Sequence, residues 1–179
     1  MKLLRTLLAT LVAAMTSNAA ELTPEKNPAE MMRQLRIGWL KTIPEKGSYK
    51  TEADVVAVVM DWPMGEQTIT VLAAAAGDAS LYTTSTFGVI GGIGHEKVRN
   101  AAMAFVARAK NHLALTQPTS DFSYPDSKTL RFFMVTPSGV RVVSFPMTET
   151  EKVNSPAWSL FSAAQQVVTQ LRLTVSQQK

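Results

Sequence analysis

Asp78, Ser80, Tyr82 and His95 are the residues whose types and spacing could do chemistry. They lie in one stretch, Gly77 to Arg99, together with Gly88, Gly91, Gly92 and Gly94. A serine or tyrosine hydroxyl becomes a nucleophile only with a base within hydrogen-bond reach. Here that base would be His95, with Asp61 or Asp78 to orient it. No G-x-S-x-G elbow surrounds Ser80, whose neighbours are Ala79 and Leu81. Alternation along a strand accounts for Ser80 and Tyr82 without catalysis. Glu96 and Asp78 are the carboxylates that the same turn could pair, but nothing in the sequence sets their separation.

The glycines favour binding over catalysis. A glycine-rich turn that opens a helix leaves backbone N–H groups available to a polar or anionic ligand. The pattern is neither G-x-G-x-x-G, since Lys97 stands where the third glycine belongs, nor a P-loop. His95-Glu96 begins like a zincin helix, yet the position four residues after His95 is Arg99. His112, the other histidine, would lie about 25 Å away along a straight helix. The chain has no cysteine, so thiolate metal sites, disulfides and cysteine nucleophiles are excluded. The residues therefore assign no catalytic group, no metal and no cofactor. They leave Asp78, Ser80, Tyr82, Gly91, Gly92, Gly94 and His95 as the candidate ligand-binding set.

Several elements must position that set. Asn27-Pro28-Ala29-Glu30 reads as a helix start, with a capping side chain, a proline in the first turn and an acid near the positive end. Met32, Leu35, Trp39, Leu40 and Ile43 follow at helical spacing, and Arg33, Arg36 and Lys41 are expected on the wet face. Val55 to Met60 is rich in β-branched residues and suits a strand buried on both faces. Asp61 to Glu66 reads as a hairpin loop of about five residues, because Pro63 and Gly65 break the run. Thr68 to Leu72 and Ala79 to Thr83 are the next strands. His95 to Leu115 is a helix with a stripe of mostly small apolar residues, and Thr116 to Lys128 is a loop. Leu130 to Val135 and Val140 to Phe145 pair around Thr136-Pro137-Ser138-Gly139. Ser155-Pro156 starts the last helix, which has Leu160, Phe161, Ala164, Val167, Val168 and Leu171 on its apolar face.

The order is α-β-β-β-α-β-β-α. It implies an α+β fold, an about five-stranded, mostly antiparallel sheet with flanking helices. This layout loosely resembles the profilin and roadblock/longin group, with three strands rather than two ahead of the middle helix. The resemblance implies a helix-covered sheet and carries over no residue roles.

The N-terminus reads as an address. Lys2 and Arg5 precede an apolar run from Leu7 to Met15, and Ser17-Asn18-Ala19 supplies small residues for cleavage after Ala19 or Ala20. Residues 1–20 are thus expected to be a signal peptide and residues 21–179 a single domain, periplasmic or secreted in a bacterium. The run is too short for a stable membrane span. The net charge of +4 includes Lys2 and Arg5. The remaining cations are dispersed without interleaved aromatics, which gives nucleic-acid binding no support. The expected function is a non-catalytic binding or interaction module for a protein or small ligand. The alternative is a small hydrolase using Ser80 or Tyr82 with His95.

Overall fold

The computed structural model describes residues 27–41, 51, 54–85 and 88–176. The expected signal peptide and its cleavage point lie outside the described residues. Among the described residues, three helices accompany one antiparallel open sheet of seven strands, in the order β4-β3-β2-β1-β6-β7-β5. In chain order these are α1 (Pro28–Lys41), β1 (Ala57–Met64), β2 (Gln67–Ala74), β3 (Ala79–Thr83), β4 (Gly88–Val89), α2 (Glu96–Lys110), β5 (Gln117–Pro118), β6 (Thr129–Thr136), β7 (Gly139–Pro146) and α3 (Pro156–Ser176).

The α+β class and the order of its main elements match the expectation, while the sheet is wider. Its two additional strands, β4 and β5, are two residues each. A run that short has no period to read in sequence. The expected five-residue loop after Met60 is instead strand. β1 continues through Asp61, Trp62, Pro63 and Met64, and the turn is only Gly65-Glu66. Pro63 fits because β1 pairs with β6 only from Ala57 to Asp61, so the missing N–H of Pro63 is not needed on that side. Gly65 takes a φ of 63° as the first central residue, the position where a II′ hairpin turn demands glycine.

Alternation divides each strand between two layers. On one face Val58, Met60, Val71, Ala79, Leu81, Leu130, Phe132 and Met134 pack against Val98, Ala102 and Phe105 of α2 and Leu160, Ala164, Val167 and Leu171 of α3. On the other face Val59, Leu72, Tyr82 and Phe133 meet Met32 and Leu40 of α1. That second layer is completed by Phe122, which lies edge-on to Phe133 with ring centroids 6.1 Å apart.

The helix starts follow their sequence signals. Asn27 Oδ1 accepts from Ala29 N at 3.0 Å, and Ser155 Oγ accepts from Trp158 N at 3.0 Å while donating to the Glu149 carbonyl. α2 is shorter than expected. It ends at Lys110, and Leu113–Leu115 forms a separate 3-10 turn.

Candidate functional site

Gly91, Gly92, Gly94 and His95 meet at the corner where β3 and β4 hand over to α2. Gly91 sits at φ 83°, and a 3-10 turn over Gly92–Gly94 then delivers the chain to α2. Gly92 is required by packing. A Cβ there would lie 2.5 Å from Val98 Cγ1, 2.9 Å from Leu171 Cδ2 and 3.2 Å from the Ala79 carbonyl oxygen. The corner is thus pressed into the layer that α2 and α3 share, which is why glycine precedes the helix.

His95 occupies the N-cap position of α2 in extended backbone, and its side chain caps no N–H. Its carbonyl accepts from Arg99 N at 2.9 Å, and its own N–H donates to the Gly92 carbonyl at 3.1 Å. The imidazole is exposed. It borders a cleft of about 330 Å³ lined by Gly94, His95, Glu96, Lys97, Val98, Gln170, Leu173 and Thr174. Thr174 Oγ1 donates to the Leu171 carbonyl, so its remaining capacity toward the cleft is as an acceptor. Three large apolar side chains stand exposed around this corner or on the cleft wall: Ile90 at 58%, Ile93 at 43% and Leu173 at 50%.

Ser80 and Tyr82 are elsewhere. Both are buried, and Tyr82 belongs to the layer of Met32, Leu40 and Val59 beneath α1. Their alternating neighbours Ala79 and Leu81 face Val98 and Leu171. The sheet therefore lies between the two hydroxyls and the His95 cleft. Burial pushes the Tyr82 phenol above its ordinary value, and hydrogen bonding with Ser80 and Trp39 opposes this. Asp78 is half-buried in the turn between β2 and β3, where its carbonyl accepts from Ala74 N at 2.8 Å. Of the candidate set, the structure brings together Gly91, Gly92, Gly94 and His95 on one side, and Ser80 with Tyr82 on the other. It does not unite the two groups. Among the described residues, no group of three or more His, Asp or Glu side chains is placed to hold a metal ion.

The polar centre beneath α1 is one that sequence reasoning missed. Arg36, expected on the wet face, is 1% exposed, and Asp61, expected in a loop, is fully buried. They form an ion pair through both guanidinium Nε and Nη2. Thr70 Oγ1 donates to Asp61 Oδ1 at 2.7 Å, and Arg36 Nη1 donates to the Phe122 carbonyl at 2.8 Å. The guanidinium carbon stands 4.2 Å from the Tyr124 ring centroid, a cation–π contact that tolerates burial of the charge. Burial raises the Tyr124 phenol above its ordinary value, with Arg36 acting in the opposite sense.

Comparison of the chain with protein-family models, with curated proteins and with solved structures finds no match.

Proposed function

We propose that this protein is a binding or interaction module, non-catalytic at the strand-to-helix corner, whose ligand surface is the His95 cleft. The observation that supports this reading is a polar-lined cleft with exposed Leu173 on its wall, and with Ile90 and Ile93 exposed in the adjoining segment that leads to His95. Apolar surface left exposed beside convergent polar groups is typical of ligand and partner sites. The cleft suits a small amphiphilic group. Leu173 offers apolar wall, while His95, Lys97, Gln170 and Thr174 offer hydrogen bonds and Glu96 limits the tolerance for anions.

The alternative, hydrolysis by Ser80 or Tyr82 with His95, lacks the nucleophile–base contact that mechanism requires. Two measurements test the proposal. Backbone-amide shifts are followed during titration with N-acetyl-leucine amide, a neutral amphiphile. The expected result is movement confined to Gly94–Val98 and Gln170–Thr174, abolished by Leu173→Asp. No movement, or movement centred elsewhere, overturns the assignment. Turnover of generic esters and phosphoesters is expected to be indifferent to His95→Ala and Ser80→Ala. Loss in both variants would restore the hydrolase.

A further inference from the structure

At the opposite end of α2, a histidine and an arginine converge on one serine that the corner does not use. His112, in the turn that follows α2, places Nε2 3.2 Å from Ser159 Oγ of α3. Arg108, in the last turn of α2 and four residues before His112, directs Nη1 at the same Ser159 oxygen at 3.5 Å. Ser159 and His112 are half-buried and Arg108 is exposed, so solvent reaches the group.

The chemistry of the guanidinium fixes the direction of one bond, and the imidazole tautomer sets the other. A guanidinium has only donors, so Arg108 donates to Ser159 Oγ. In the His112 tautomer that carries its proton on Nδ1, the hydroxyl hydrogen is directed to the lone pair of Nε2. That is the polarity of a nucleophile–base pair. Two further features favour it. Burial, and then the Arg108 charge, hold the His112 imidazole below its ordinary value, so it is neutral and able to accept a proton near neutral pH. Ser159 also stands in the first turns of the 21-residue α3, near the end whose dipole favours developing negative charge.

We propose that Ser159 is a reactive acyl-acceptor site, with His112 as its base and Arg108 as the cation beside the reacting oxygen. The step is attack of Ser159 Oγ on the carbonyl carbon of an activated ester. The Oγ–C bond forms, the bond from carbon to the leaving oxygen breaks, and the hydroxyl proton passes to His112 Nε2 and then to the leaving group. Among the described residues, the hydrogen bonds of His112 supply no carboxylate to orient the imidazole. The site is therefore a dyad suited to stoichiometric acylation rather than rapid turnover.

The test is incubation of the intact chain with p-nitrophenyl acetate, followed by mass measurement and peptide mapping. One acetyl group at Ser159 is expected, with none at that position in Ser159→Ala. His112→Gln keeps a hydrogen-bonding side chain but no base, and is expected to slow acylation by about 10²-fold, the lower range of general-base effects. A merely structural role for His112 would leave the rate in His112→Gln unchanged, and that result overturns the proposal. So does acetylation confined to lysines, or equal labelling of Ser159 and other exposed serines. His95→Ala serves as the control, expected to leave Ser159 acetylation unchanged, so failure here is separable from failure at the corner cleft.

Discussion

Arg36 depends on a carboxylate 25 positions along the chain. Burying a guanidinium costs several kcal/mol unless a close, well-aligned anion offsets it. Asp61 supplies that anion, and Thr70 and the Phe122 carbonyl take up the remaining hydrogen bonds. Removing one partner leaves the other charged and buried. Arg36→Met is accordingly expected to destabilise the protein by about 3–5 kcal/mol, read as a shift in the urea midpoint. The double substitution Arg36→Met, Asp61→Leu should recover most of that loss, because an apolar pair of similar volume removes both desolvation penalties. If the double variant is as unstable as the single one, the cost lies in packing rather than in orphaned charge.

His112 gives a second prediction at this scale. Its folded-state pKa is lowered by burial, then by Arg108, from the ordinary value of 6.5. The folded protein therefore binds its proton less readily than the unfolded chain. Stability should fall as pH drops below about 6.5 and level off once the folded imidazole is protonated. The slope should be absent in His112→Gln. Asp54, Asp121 and Asp126 are held below the usual carboxylate value by Lys110, Ser123 and Thr129 hydrogen bonds respectively. Their protonation belongs to a separate window at lower pH, so the difference between wild type and His112→Gln in thermal melts from pH 5 to pH 8 reports this histidine.

At the scale of elements, the glycine corner separates packing from backbone strain. Gly92→Ala would drive a Cβ into Val98, Leu171 and the Ala79 carbonyl. Since the carbonyl is backbone and cannot rotate away, a loss of about 1–3 kcal/mol is expected. Gly94 meets open space and has no positive φ. Gly94→Ala should therefore change the melting midpoint little, within about 0.5 kcal/mol. Equal losses at the two positions would mean that the 3-10 turn itself, and not its packing, demands glycine.

The same elements show where sequence was informative. Caps at Asn27 and Ser155, the apolar periods of α2 and α3, and the hairpin at Pro137 are local signals, and they folded as local rules require. Arg36 was misplaced because a helical wheel assigns a charged residue to water, and the residue that overrides it stands in another element. Asp61 was misplaced because Pro63 reads as a strand breaker until the neighbouring strand is known to have ended. The corner glycines were legible as a corner. The separation of His95 from Ser80 was not, because which side of a sheet a following helix covers depends on the assembled layers.

For the whole molecule, the two faces of the sheet are held by different physics. The α2–α3 face is a broad apolar layer. The α1 face combines a smaller apolar cluster with the buried ion pair, and two arginines reach across it to hold one loop. Arg36 takes the Phe122 carbonyl, and Arg131 takes the Ser123 carbonyl at 3.0 Å. Opening free energies vary across a fold according to the buried apolar surface each unit loses. Amide exchange should therefore be slowest in β1, β2 and β6, which are covered on both sides, and faster in α1. Arg36→Met should accelerate exchange in α1 and shift the environment of residues 121–124, while protection in α2 and α3 stays near wild type once the lower global stability is subtracted. The logic is that the ion pair binds one helix and one loop to a sheet already closed on its other side. If exchange instead rises in equal proportion throughout α1, α2, α3 and the central strands, the two faces open as a single unit. The Arg36–Asp61 pair would then belong to the global core rather than to a separable layer.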